Sequence, residues 1–223
     1  MISLKNKPRA VIDLETTGLN PLIQEVIEVC ILKDAEAHEW ESPNEFALGT
    51  DLWCLNLKIR PSRIDQADPK ALEVNGYKAE DWKGAISIQE AALRINEFLK
   101  GCVIFGYNVK FDMGFLEALF KEAGVKPSWG YHHIDVLALA YEHLAPCGLE
   151  QLSLKAVCEF LGIPPEPEVH RAANGAQRCL QVLERLQRAT WLDRLRWGLK
   201  NRKRMQAVRE EILQREVAKN GKP

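Results

Sequence analysis

The sequence predicts an α/β fold with a mixed β-sheet flanked by helices. Strand-like runs come first, within residues 9–61, and later short buried strands alternate with amphipathic helices. The opening run, AVIDLETTGLN, stops on two acids one residue apart, Asp13 and Glu15. On a strand, positions i and i+2 share a face, so these carboxylates project together. In open sheets ligands gather at the carboxyl ends of strands.

The elements follow in order. RAVIDLE reads as the first strand and QEVIEVCILKD, rich in β-branched residues, as the second. Residues 35–50 are polar and poorly patterned. DLWCLNLKIRP alternates apolar and polar residues and reads as a third strand, ended by Pro61. These three form an antiparallel meander. Asp68 and Pro69 cap and start a short helix that Asn75 or Gly76 ends. SIQEAALRINEFLKG is an amphipathic helix with Ser87 as N-cap, Glu90 completing a capping box and Gly101 at its end. CVIFGYN is a buried strand, and FDMGFLEALFKEAG a helix directly after it. HHIDVLALAYEHLA holds a strand end and a helix, and LSLKAVCEFLG a helix closed by Gly162. HRAANGAQRCLQVLERLQR is helical in pattern, and residues 190–220 read as a long charged helix or two.

The chain has 223 residues, enough for one sizeable core with an appendage. We expect a catalytic-type domain over 1–188 and a basic helical extension over 189–223. The formal charge of −1 hides an asymmetry. From Arg178 onward there are 13 Lys and Arg against 5 Asp and Glu, and before it 17 against 26. A basic tail suits an anionic partner, and equally a solvated helix. No run approaches the roughly 18 apolar residues of a membrane span, and no N-terminal stretch suits a signal peptide. The six cysteines form no CxxC pair, which suits free core thiols in a reducing cytoplasm.

Two acids alone are a weak signal, so further candidates matter. Asp112 follows the buried strand CVIF and falls in a first helical turn, where an acid also complements the helix dipole. Asp135 sits between a strand-like run and a helix and reads as an N-cap. His170 lies at the start of a late helix. Adjacent His132 and His133 face opposite ways on a strand and make no metal pair.

Together, D-x-E-T-T-G-L at 13–19, N-x-x-F-D at 108–112 and H-R-A at 170–172 resemble the three sequence blocks of the DEDD 3′–5′ exonucleases, in their histidine-type, DnaQ-like branch. The resemblance runs from residue 8 to about 188. It implies a ribonuclease-H-like sheet and a metal-dependent exonuclease releasing nucleoside monophosphates from the 3′ end of DNA or RNA. The chemistry explains the acids. Attack of water on phosphorus needs a nucleophile at neutral pH and charge stabilisation on two oxygens, which two divalent cations about 3.5–4 Å apart supply. Carboxylate oxygens suit Mg²⁺ or Mn²⁺. Without cations, two charges 4 Å apart repel by roughly 4 kcal/mol at an effective dielectric of 20.

The resemblance implies that Asp13 bridges both metals, Glu15 ligates the one that activates water, and Asp112 holds the second. It makes His170 the general base. It places Leu14, Thr16, Thr17, Gly18 and Leu19 around the 3′-terminal nucleotide, with Asn108 and Phe111 shaping the pocket and Val74–Tyr77 wedging the terminal base. Single strands or frayed 3′ ends are the implied substrate.

One position departs from the pattern. The family block is H-x-x-x-x-D, and the residue five after His170 is Gly175. An impaired variant, a natural relative that binds without cutting well, and compensation by Glu166, Glu168 or Asn174 are the open explanations. The last is disfavoured, since Glu168 precedes His170 and a helix start aims it elsewhere. A catalytically weakened nucleic-acid-binding or polymerase-docking module is therefore the alternative reading. Beyond Thr190 the resemblance stops. Trp191, Leu195 and Leu199 form a stripe amid Arg194, Arg196, Lys200 and Arg202, fit for packing back on the domain, gripping a nucleic-acid backbone or docking a polymerase or other protein.

Overall fold

A computed structural model describes residues 7–34, 45–47, 52–130, 132–164 and 166–220. Six strands are described: β1 (Arg9–Thr16), β2 (Val26–Asp34), β3 (Glu45–Ala47), β4 (Leu52–Lys58), β5 (Val103–Gly106) and β6 (His133–Asp135). They form one sheet in the order β3-β4-β2-β1-β5-β6. The β1–β2, β2–β4 and β3–β4 pairs are antiparallel, and β1–β5 and β5–β6 are parallel. The mixed sheet expected from the sequence is therefore present, with β3 added at the edge inside the stretch that lacked a pattern.

The helices are α1 (Pro69–Asn75), α2 (Ile88–Phe98), α3 (Val109–Ala123), α4 (Val136–Leu144), α5 (Leu154–Leu161), α6 (Ala172–Gln187) and α7 (Trp191–Asn220). The expected capping chemistry operates. Asp68 accepts from the Lys70 N–H at 2.9 Å and Ser87 from Glu90 at 3.2 Å. Ser153, which the sequence pattern did not single out, caps α5 by accepting from Ala156 at 3.2 Å. The Glu90 side chain turns to Arg94 instead of closing the capping box. α2 ends with Leu99 as its C-cap, and Gly101 lies just beyond. The basic tail is one helix over its described length, entered through a reciprocal pair: the Asp193 carboxylate accepts from the Thr190 N–H, and the Thr190 hydroxyl accepts from the Asp193 N–H.

Alternation on β1 decides where chemistry can sit. Ala10, Ile12 and Leu14 face one core, shared with α2 and α3. Val11 faces the other core, shared with α4, α5 and α6. Asp13 and Glu15 continue the Val11 face, so their carboxylates lie under α6. β1 pairs with β5 only over Arg9–Val11. Beyond Val11 its β5-side backbone edge is free to meet the start of α3. This divergence, where strand direction reverses across β1, forms the cleft.

Candidate functional site

The end of β1 holds more acids than the sequence suggested. In the β1–β2 register Asp13 stands opposite Cys30 and Glu15 opposite Glu28. Directly opposed residues share a face, so Glu28 joins Glu15 beneath α6. Glu28 is only 3% exposed, and its Oε2 has no hydrogen-bond partner. The signal that could have found it was an acid inside the apolar run VIEVCIL; locating it needed the cross-strand register.

Asp112 enters from α3, as expected in the first turn, and is 4% exposed. Its carboxylate accepts from its own N–H and from the Leu14 N–H, on the edge that β5 leaves open. α3 can begin there because Asn108 adopts a left-handed conformation, φ 60°, one that Asn tolerates better than most residues. The Asn108 N–H donates to Asp135 Oδ1 at 3.0 Å, and that same oxygen caps α4 by accepting from the Leu137 N–H at 2.9 Å. Asp135 is thus a cap, as read, and it also fixes the turn that delivers Asp112.

The segment 166–171 crosses the mouth of the cleft. The His170 N–H donates to the Val74 carbonyl at 3.0 Å, and the His170 ring, 48% exposed, holds Nδ1 3.9 Å from Glu166 Oε2. Glu166 is close enough to Asp13 and Glu15 to raise the pKa of both. It therefore turns inward, whereas Glu168 is exposed. Arg171 follows, with Nη1 3.5 Å from Glu28 Oε2. Gly175 lies one turn into α6, directly over Asp13. A Cβ on Gly175 would stand 2.6 Å from Asp13 Cγ and 2.8 Å from Oδ1.

The residues assigned to the terminal nucleotide divide by exposure. Leu19 is 80% exposed and free to contact a ligand. Leu14 is buried in the core, so only its backbone faces the cleft. The Thr16 hydroxyl donates to the Gly18 carbonyl at 2.6 Å, and the Thr17 hydroxyl accepts from the Glu25 N–H at 2.8 Å. Both threonine side chains are buried and serve the turn. Gly18 packs against Gln24, whose Cδ would stand 2.7 Å from an added Cβ. Phe111 is half-buried and tilted against Phe115 with ring centroids 4.9 Å apart. Asn75 is buried, donating to the Thr16 carbonyl and accepting from the Tyr77 N–H, which ties α1 to the end of β1.

The family model described as Exonuclease, RNase_T, matches residues 10–183, which include both β1 acids, Asp112, His170 and Gly175. The chain belongs to this exonuclease family. Among its relatives, the PolC-type DNA polymerase III of Thermotoga petrophila is 31% identical over 183 residues, covering 82% of this chain and 12% of that one. A Shewanella ribonuclease T is 27% identical, covering 77% of this chain and 78% of the relative. The exonuclease domain thus spans about an eighth of the length of the PolC-type relative. In fold it matches E. coli exonuclease I solved with a dT13 oligonucleotide, at a TM-score of 0.62 and 18% identity, over 81% of this chain and 41% of that one.

Electrostatics in the acid cleft are strained in a consistent direction. Burial pushes the Asp13 carboxyl well above its usual range, and Asp112, Glu15, Glu166 and Glu28 push it further. Burial raises Glu15 to about 8, helped by Glu28 and Glu166 and opposed by Arg171. Asp112 also reaches about 8; burial outweighs its two backbone hydrogen bonds, and Asp135 and Glu15 add to the rise. Among the described residues, no three His, Cys, Asp or Glu side chains stand in a ready coordination group. The donors still fit a hard divalent cation in kind. All are carboxylate oxygens, crowded by burial and by one another; Glu28 beside them is paired with the Arg171 guanidinium instead. Asp13, turned against Gly175, is the group whose orientation departs from a ligand set.

Proposed function

We propose that this chain is a divalent-metal-dependent 3′–5′ exonuclease that removes nucleoside monophosphates from the 3′ ends of single-stranded or frayed DNA or RNA. The observation that carries this is convergence. Acids far apart in sequence, Asp13 and Glu15 on β1 and Asp112 on α3, crowd the end of one strand, where burial and mutual repulsion disfavour their charged forms until a cation supplies counter-charge. Asp13, Glu15 and Asp112 would hold Mg²⁺ or Mn²⁺. The cations supply an activated water and charge stabilisation at the scissile phosphate.

The chain's own residues do the rest. His170, exposed at the rim and fixed by its backbone to Val74, is the base that accepts a proton from the attacking water. Leu19 and the backbone of Leu14 and Gly18 receive the terminal nucleotide, with Asn108 and Phe111 on the α3 side. The Leu14 N–H beside the Asp112 carboxylate favours its charged form, the form that would bind a cation.

Gly175 favours a second reading, a binding or polymerase-docking module with slow chemistry. The family position for an acid is empty of side chain, and the Asp13 carboxylate lies in that space. The PolC-type relatives support a polymerase setting, with the α7 stripe of Trp191, Leu195 and Leu199, each more than half exposed, as a docking face. Described residues include no helix long and apolar enough to cross a membrane. All six cysteines are free thiols, which supports a reducing setting. The deciding experiment is a nuclease assay on 5′-labelled single-stranded DNA and RNA with Mg²⁺, Mn²⁺ and chelator. A metal-dependent ladder of shortened products supports the exonuclease; tight binding with no shortening replaces it with the module.

A further inference from the structure

Arg171 occupies a position that local helix physics disfavours. It is the N-cap residue of α6, with extended backbone at φ −141° and ψ 137°, and its side chain makes no cap hydrogen bond. Ser, Thr, Asp or Asn would satisfy a free N–H there. A cation also opposes the positive end of the helix dipole. The compensation lies across the cleft. The guanidinium Nη1 stands 3.5 Å from Glu28 Oε2 as an ion pair, with no hydrogen bond at either atom, and Cζ lies 5.3 Å from the centroid of the Trp82 ring. Trp82 is itself 3% exposed and fixed by its indole N–H to the Ile27 carbonyl. Glu28 has a further basic neighbour, Lys58, opposite it in the β2–β4 register. An arginine here is a poor cap and a good anchor.

His170 sits between this anchor and another. On the upstream side Val169 packs against Gly76 at the end of α1, where an added Cβ would stand 2.7 Å from Val169 Cγ1, and the His170 N–H reaches the Val74 carbonyl. On the downstream side the chain is held through Arg171, since α6 begins at the next residue. We infer that Arg171, clamped by Glu28 and Trp82, is a positioning residue that sets the His170 ring at the mouth of the acid cleft. The inference rests on the exonuclease reading for its kinetic consequence, and its geometric content stands apart from it.

The test uses the full chain with Arg171→Ala, Arg171→Lys, Glu28→Gln and the Arg171→Ala/Glu28→Gln double variant. Histidine Hε1 NMR signals are recorded in chelator, with His170 assigned by its loss in His170→Gln. Arg171→Ala and Glu28→Gln are both expected to displace the His170 signal and leave the other histidines in place. Arg171→Ala deletes a positive charge and Glu28→Gln a negative one, so a displacement of the same sense in both reports geometry. In the nuclease assay, Arg171→Ala is expected to lower kcat by about 30-fold with KM within about threefold, Arg171→Lys to recover part of the rate, and the double variant to be no worse than the worse single one. A His170 signal unmoved in Glu28→Gln, or rate deficits that multiply in the double variant, overturns the inference. A wild-type protein that shortens no substrate removes the exonuclease reading, and the NMR comparison still decides the positioning. Should Arg171→Ala fail to fold, Glu28→Gln and Arg171→Lys carry both measurements.

Discussion

The Asp13 carboxylate lies against the backbone of Gly175, in space that any side chain at 175 would claim; a Cβ there would be 2.6 Å from Asp13 Cγ. Sterics and charge at this position are therefore separable. Gly175→Ala gains about 1 kcal/mol of helix propensity but must turn Asp13 aside. Gly175→Asp turns it aside equally and adds a carboxylate, and cation affinity follows ligand charge. Mn²⁺ titration by calorimetry is expected to place the Asp variant about tenfold tighter than the Ala variant. Equal affinity in the two would show that the acid is not missed.

Stability should fall with pH when no cation is present. Glu15 and Asp112 titrate at about 8 in the folded chain, while unfolded carboxyls titrate near 4. Between those values the folded state holds the extra protons, so unfolding free energy declines as pH rises, and this contribution is gone above about 8. Thermal melts in chelator are expected to show Tm dropping from pH 6 to pH 8.5. Mg²⁺ or Mn²⁺ should restore more at pH 8.5 than at pH 6, because binding displaces those protons. A flat Tm with chelator across this range contradicts the assignment.

Asp112→Asn separates stability from binding. The amide keeps an acceptor for the Leu14 N–H and removes a buried like charge. In chelator at pH 8.5 its Tm should exceed wild type by about 2–4 °C for each kcal/mol relieved. The stabilisation by added cation should vanish. Calorimetric scans with and without Mn²⁺ check both.

Asn75→Ala should be costly although it touches no acid. Asn75 is 1% exposed and satisfies the Thr16 carbonyl and the Tyr77 N–H. Its loss removes the bond to the buried Thr16 carbonyl, while the Tyr77 N–H keeps the Leu72 carbonyl at 3.1 Å; the cost is about 1–3 kcal/mol by urea unfolding. A change under about 0.5 kcal/mol would show that α1 is not tied to β1 through this residue.

Removal of residues 189–223 tests the basic helix. If Arg194, Arg196 and Lys200 meet phosphates, the slope of log affinity against log salt for single-stranded DNA becomes shallower, by about 0.7 for each phosphate no longer neutralised. An unchanged slope assigns α7 to packing or protein docking instead.

Most of the site's architecture was legible because it is local. Period-two alternation placed Asp13 and Glu15 on one face, and cap chemistry located α1, α2, the end of α5 and the start of α4. What escaped depends on register and path. β3 spans three residues, too few for alternation to register, and pairs at the edge of β4. Glu28 became a site residue only through its pairing with Glu15. Glu166 turns inward because the chain from 166 to 171 is held at Val74, an interaction between segments distant in sequence. Leu14 shows the converse limit: its place in the motif was plain, and the strand's alternation sends its side chain into the core.

The order in which the cleft's walls arrive along the chain has its own consequence. β1 and α3 bring the acids early, while α6, which covers Asp13 and carries the close of the His170 segment, comes after most of the domain. Closing so long a loop is among the slower steps of folding. A nascent chain therefore emerges from the ribosome with its carboxylates open to water and no roof above them. The cover over Asp13 arrives only once synthesis of the body is nearly complete.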